Sequence, residues 1–283
     1  MSLVAILGAG EIGGAVARAL VTRARVDGVR LIDEKPDVAA GKALDLSQAL
    51  PVIGSDTKIE GSQDYSAAAD AVAIVLADPA GAPGAEWAGE AGLALLRRLN
   101  QWGYFQQSVL ICAGAGQRVL MQRAFDELGL PRRRVLGSAP EALAAIARAL
   151  VAIEAKGSSA QVILTVMGRP PDRMVIPWTE GSIGGQSVMS RLTASQLHRL
   201  ETRLRGLWPP GAGALGTAAA LVSEAVAAGS RRLFSTFVSL DRDNGTKAPV
   251  CALPVSIGPT GLEHVASPAL TGRDRIVIDE VLE

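Results

Sequence analysis

Leu3-Val4-Ala5-Ile6-Leu7-Gly8-Ala9-Gly10-Glu11-Ile12-Gly13-Gly14 is the stretch that decides the fold. Its uncharged apolar run reads as a buried strand that enters a G-x-G-x-x-G turn and then a helix from Ala15 to Val21. A second strand, Val29-Arg30-Leu31-Ile32, ends in Asp33, 20 residues beyond Gly13. That is where a dinucleotide fold places the carboxylate that binds a ribose hydroxyl. In this reading Gly8 allows the tight turn, Gly10 the approach of backbone to a pyrophosphate, and Gly13 the packing of helix on strand. Glu11, Ile12 and Gly13 are candidate cofactor contacts as well, and the helix that follows turns its N–H groups and positive dipole end to the phosphates. An acid at Asp33 selects NAD over NADP, because a 2′-phosphate beside a carboxylate is repelled.

Composition narrows the function classes. In 283 residues the hydrophobic content of 48% allows a sizeable core, in one large α/β unit or two domains. No charge-free apolar run reaches the ~18 residues of a membrane helix, and the apolar start belongs to the glycine motif, not to a signal peptide. A formal net charge of zero favours neither nucleic acid nor an anionic membrane as a partner; a small molecule or nucleotide is expected instead. Cys112 and Cys251 sit inside apolar runs with no metal-ligand spacing, as buried reduced thiols do. A cytoplasmic protein is expected.

Further along, Asp37 to Leu50 reads as a helix closed by Pro51, Thr57 to Gly61 as a strand, and Ala71 to Leu76 as a buried strand. The small-residue loop from Ala77 to Gly84 follows, at the strand edge where open α/β sheets bind ligands, so Ala77 is a candidate cofactor contact. A helix from about Ala85 to Trp102 leads to strand Ser108 to Cys112 and a second glycine-rich loop, Ala113-Gly114-Ala115-Gly116. Ala113 is the candidate contact there. A helix near Val119 to Leu128, a sixth strand at Arg134 to Gly137 and an alanine-rich helix from Pro140 to Ala155 complete this half.

From Ser159 the pattern changes. Val162 to Met167 and Met174 to Pro177 read as neighbouring strands, Thr193 caps a helix running to Gly206, and a second helix spans Ala214 to Ala228. Leu233 to Leu240 and Pro249 to Ile257 read as a hairpin around Asp241-Arg242-Asp243-Asn244-Gly245. The class is therefore α/β: a Rossmann-type doubly wound parallel sheet over residues 1–140, followed by a smaller α+β domain with antiparallel strands over 141–283.

The order of these pieces resembles the lactate/malate dehydrogenase family, malate dehydrogenase in particular, over nearly the whole chain. The likeness is carried by the glycine turn, Asp33, Gly41-Lys42-Ala43-Leu44-Asp45-Leu46, Met167-Gly168, Met174-Val175 and Pro254-Val255. The resemblance implies NAD, a dimer or tetramer, and hydride transfer between the cofactor and a 2-hydroxy acid. In the family a histidine is the acid/base, a carboxylate orients it, and arginines hold the substrate.

At the family's positions those residues are replaced. Pro83-Gly84 is kept, but the flanking arginine positions carry Gly81 and Trp87. Leu143 and Ile146 stand where the family has its aspartate and third arginine, and Pro170 stands where it has the histidine. Proline cannot exchange the proton of the hydride step, and no glycine binds a carboxylate as a guanidinium does. The only histidines, His198 and His264, fall on helix-like segments elsewhere. Glu141 and Arg148 lie two residues from the expected pair, and on a helix that shift turns a side chain by ~200°. Arg169 is the candidate to enter the old pocket, against a plain exposed turn arginine. Beside Ala113, Gly114 also stands where the family's asparagine contacts the nicotinamide ribose. The expectation is a homologue with no catalytic residues that keeps the fold and NAD site and pairs with itself or with an active relative. The alternative is an oxidoreductase whose pocket, with Trp87, Leu143 and Ile146, is rebuilt for a substrate lacking a carboxylate.

Overall fold

The computed structural model describes residues 2–81, 85–240 and 249–283. Its first half runs β1 (Leu3–Leu7), α1 (Glu11–Arg23), β2 (Gly28–Ile32), α2 (Pro36–Ile53), β3 (Lys58–Ser62), β4 (Ala73–Leu76), α3 (Gly89–Gln101), β5 (Val109–Cys112), α4 (Arg118–Leu128) and β6 (Val135–Gly137). These strands lie parallel in the order β3-β2-β1-β4-β5-β6. β4 and β5 lie inside the sheet with helices packed on it, so they are buried at every position and their sequences are unbroken apolar runs. Each of Ile74, Val75 and Leu76 contributes about 1.5–3 kcal/mol by leaving water, an upper figure since denatured chains are partly collapsed.

The register determines where a ligand could sit. Leu7 pairs level with Ile32 and with Leu76, and Leu76 with Cys112. The residues that follow these four strand ends are Gly8, Asp33, Ala77 and Ala113. Strands far apart in sequence thus deliver four of the candidate residues to one edge of the sheet.

The second half comprises α5 (Ala139–Glu154), β7 (Val162–Ile163), β8 (Met167–Arg169), β9 (Arg173–Val175), β10 (Ser182–Ile183), β11 (Gln186–Ser187), α6 (Val188–Arg191), α7 (Ala194–Arg205), α8 (Ala212–Ala228), β12 (Phe234–Val238), β13 (Cys251–Gly258), β14 (Gly261–Val265) and α9 (Gly272–Leu282). β12 joins the main sheet antiparallel to β6, pairing Phe237 with Gly137, and β13, β8 and β9 follow as antiparallel neighbours. A small antiparallel sheet holds β11, β10 and β7. The architecture is thus a Rossmann-type parallel sheet with a smaller antiparallel part. One apolar cluster surrounds the parallel sheet and takes in α8, β12 and β13; the other lies among α5, α7 and residues 162–166. α8 packs on α1 where Gly216 meets the backbone of Ala15 and Val16, and Arg23 holds Glu224 at 2.6 and 2.9 Å beside it.

Four local expectations are corrected. Pro51 lies inside α2: only two helical residues follow it, its ring is exposed, and Gly54 in the left-handed region (φ 75°) makes the stop. α3 begins at Gly89, not Ala85, because residues 85–88 are tied down elsewhere. Val162 to Met167 is two strands: the Val166 N–H donates to Ser235 Oγ at 2.8 Å as the chain crosses between sheets. His264 lies on β14, a strand, and only His198 is helical; both are exposed. The hairpin strands are paired as expected, while the turn at Asp241 to Gly245 lies outside the described residues.

Candidate functional site

The site is the edge formed by the turns after β1, β2, β4 and β5. Gly8 has φ 110°, a conformation that an L side chain rarely adopts, and this turns the chain from β1 toward α1. At Gly13 an added Cβ would strike the Gly8 carbonyl, so the helix seats directly on the turn. Lys42, from α2, donates from Nζ to the carbonyls of Ala9 and Gly10 at 2.6 and 2.7 Å and fixes the turn from outside.

Asp33 is 2% exposed. Its Oδ2 accepts from the N–H of Ala9 at 2.7 Å and of Ala80 at 2.8 Å, and its Oδ1 from Lys35 N–H at 2.9 Å. A carboxylate offers about four acceptor positions. Three of those on Asp33 are spent on the chain's own backbone, binding the β1 turn to the loop after β4.

The N-terminus of α1 is satisfied from the same loop. Asp78 is 1% exposed, and its Oδ1 and Oδ2 accept from Gly13 N–H at 2.9 Å and Ile12 N–H at 3.2 Å. The Gly10 N–H donates to the Asp78 carbonyl at 2.9 Å. A Cβ on Gly10 would fall on the Asp78 carboxyl group. The close approach that Gly10 permits is thus made by Asp78. Glu11 opens the helix with its side chain exposed.

At the β5 end, Glu86 reaches the loop after Ala113. Its Oε1 accepts from Ala115 N–H and its Oε2 from Gly116 N–H, both at 2.8 Å. Burial pushes the Glu86 carboxyl above its ordinary range; these two N–H donors pull it back, and the nearby Asp78 charge adds to the rise. Gln117, fully buried, donates to the carbonyls of Ala77 and Trp87 at 3.0 and 3.3 Å and accepts from Gly114 N–H at 2.9 Å. Residues 85–88 are therefore fastened across the sheet edge. Ala77 and Ala113 are both fully buried beneath these contacts.

The positions that the resemblance assigns to the family's chemistry are described in part. Pro83 and Gly84 lie outside the described residues. Leu143 is fully buried in the second apolar cluster and Ile146 packs against it. Glu141 is 1% exposed and pairs with Arg148 at 2.7 Å and with Arg232, while accepting from Ser235 N–H at 2.9 Å. Pro170 begins the turn from β8 to β9. Arg169, at the end of β8, is half-buried rather than an exposed turn residue, and donates from Nη2 to the Val281 carbonyl of α9 at 2.6 Å. Arg118 is also half-buried; burial lowers its guanidinium, and the charge of Arg169 lowers it further.

Sequence reasoning did not single out Asp78, Glu86 or Gln117. A clue was present in the one acid among the small residues of Ala77-Asp78-Pro79-Ala80, since an isolated acid in a loop at a ligand-binding edge has few structural reasons to be there. Among the described residues no cluster of His, Cys, Asp or Glu could hold a metal ion, and no helix is long and apolar enough to cross a membrane.

Residues 2–98 match the sequence profile of the lactate/malate dehydrogenase NAD binding domain. The chain is 29% identical to malate dehydrogenase of Anaplasma marginale (strain Florida), covering 99% of this chain and 94% of that one. To malate dehydrogenase of Chlorobium phaeobacteroides it is 28% identical, over 93% and 89% of the two chains. Among solved structures, malate dehydrogenase from Salinibacter ruber superposes with a TM-score of 0.83 at 24% identity, covering 99% of this chain and 93% of the other. Lactate dehydrogenase from Cryptosporidium parvum, complexed with lactic acid and nicotinamide adenine dinucleotide, gives 0.85 at 22% identity, over 99% and 94%. At these identities the solved structures establish the fold. The matched domain supports NAD as the cofactor class.

Proposed function

We propose that this homologue of the lactate/malate dehydrogenases keeps the dinucleotide domain without performing the family's hydride transfer to a 2-oxo acid. The observation that carries the reading is the family's histidine position. By the resemblance Pro170 takes that position; it lies in the β8–β9 turn, and proline has no group with which to give or take a proton. The surroundings support it. Leu143, at the position of the orienting carboxylate, is fully buried among apolar side chains. Glu141, the nearest acid, is bound to Arg148, Arg232 and Ser235. Trp87 and Gly81 stand in place of two guanidiniums.

A rebuilt pocket for a substrate without a carboxylate gains less support, because Leu143 is core rather than lining. The remaining role is that of a binding or regulatory subunit, as a homo-oligomer or paired with an active relative, in the cytoplasm. α2 exposes Leu44, Val52 and Ile53, apolar side chains of the sort that a neighbouring subunit covers.

The test is NADH oxidation with oxaloacetate and with pyruvate, on protein whose fold is verified by circular dichroism. No turnover above the protein-free blank is expected. A rate of ~10 per second or more, the ordinary enzyme range, overturns the reading.

A further inference from the structure

In dinucleotide folds the diphosphate lies on the N–H groups that open the first helix, drawn by the positive end of the helix dipole. Here those groups already hold an anion. Asp78 accepts from Ile12 and Gly13 through its carboxylate and from Gly10 through its carbonyl. This is not ordinary capping, in which the residue at the N-cap itself supplies the acceptor. The N-cap is Gly10, which has no side chain, and Asp78 arrives from the end of a different strand. Gly10 is shaped to this visitor, since any Cβ there would strike the Asp78 carboxyl group.

We propose that the Asp78 carboxylate is an internal rival of the cofactor: it holds the seat of the diphosphate, and NAD enters only as Asp78 leaves Ile12 and Gly13. The proposal rests on the dinucleotide reading of the domain. Three further features support the competition. A bound diphosphate beside an ionised Asp78 meets like charge across a short distance, and both require the same donors. Asp33 is tied to the Ala80 N–H of the loop that bears Asp78, so the ribose-binding acid helps to hold the rival in place. Beyond it, Glu86 is fastened to Ala115 and Gly116. Carboxylates thus secure the segment after Asp78 at Ala80 and at Glu86.

The experiment is calorimetric titration of NAD into four full-length proteins: wild type, Asp78→Ala, Asp78→Asn and Asp45→Asn. The last removes one charge from an exposed position on α2 that takes no part in the Asp78 contacts with Ile12 and Gly13. Weak wild-type binding is expected, with affinity raised about tenfold or more in both Asp78 variants, or ~1.4 kcal/mol per decade, and unchanged in Asp45→Asn. None of the four is expected to oxidise NADH with oxaloacetate. If Asp78→Ala does not fold, Asp78→Asn keeps an acceptor at the helix end and tests the same competition.

Equal affinity in wild type and the Asp78 variants overturns the proposal, as does an equal gain in Asp45→Asn. So does wild-type binding with a Kd of about 1 μM. In those cases the dinucleotide reading stands. Absence of binding in all four proteins at millimolar NAD removes both.

Discussion

Glu141 and Arg148 lie two turns apart on one face of α5 and meet at 2.7 Å, carboxylate to guanidinium. Arg232 approaches the same carboxylate from the connection between α8 and β12, and Ser235 N–H donates to its second oxygen at 2.9 Å. One acid therefore joins α5 to β12, the strand that extends the main sheet. The pair serves the fold.

Removing that acid leaves a half-buried guanidinium without its partner and a buried N–H unsatisfied. Glu141→Ala is expected to cost about 2–3 kcal/mol, less than a fully enclosed pair because the Arg232 side chain is 44% exposed. Glu141→Gln, which keeps an acceptor for Ser235, costs less. Urea unfolding should show a lowered midpoint with an unchanged slope.

Gly216 governs how closely α8 lies on α1. Any Cβ there falls within contact of the backbone of Ala15 and Val16, rigid atoms that cannot step aside. Gly216→Ala is expected to destabilise by about 1–3 kcal/mol despite the better helix propensity of alanine. An unchanged melting temperature would contradict the close packing.

Glu86 gives a pH dependence. Burial raises its carboxyl above the ordinary 4.5, chiefly through lost solvation and against the donors Gly116 and Ala115. A group raised in the folded state contributes stability that is fully present below 4.5 and is lost as pH rises through the folded value. Glu86→Gln cannot ionise and escapes that loss. The melting temperature of Glu86→Gln relative to wild type should therefore climb as pH is raised from the acid side through the carboxylate range.

The thiols are predicted to be inert. Burial pushes Cys112 up to about 12, with a smaller contribution from Glu86, and Cys251 up to about 11. Both are buried, so neither offers a thiolate or access at neutral pH. A chromogenic disulfide reagent should find no reactive thiol in the native protein and both in denaturant.

The parallel sheet was legible because fully buried strands are written as unbroken apolar runs such as Ala73 to Leu76, and the glycine turn because its φ and close contacts admit little else. The hairpin and the Thr193 cap were legible for similar local reasons. The break between Val162 and Met167 was not, since it depends on Ser235, which only the fold brings to Val166. Nor was the strand at His264, whose exposed polar residues carry no period and which gains its conformation by pairing with β13. Asp78 lies at the far end of this scale. Its sequence neighbours mark a loop, and its partners, Ile12 and Gly13, are some 65 residues earlier, placed there by the register of β1 with β4.

That register has a consequence for the life of the chain between synthesis and degradation. Proteins whose folded state is fastened by a bound ligand gain stability with the logarithm of the ligand's concentration over its Kd, and they loosen when it is depleted. With Ile12 and Gly13 held by an acid of the same polypeptide, the first helix is anchored without a ligand. Depletion of a dinucleotide therefore leaves that anchor in place.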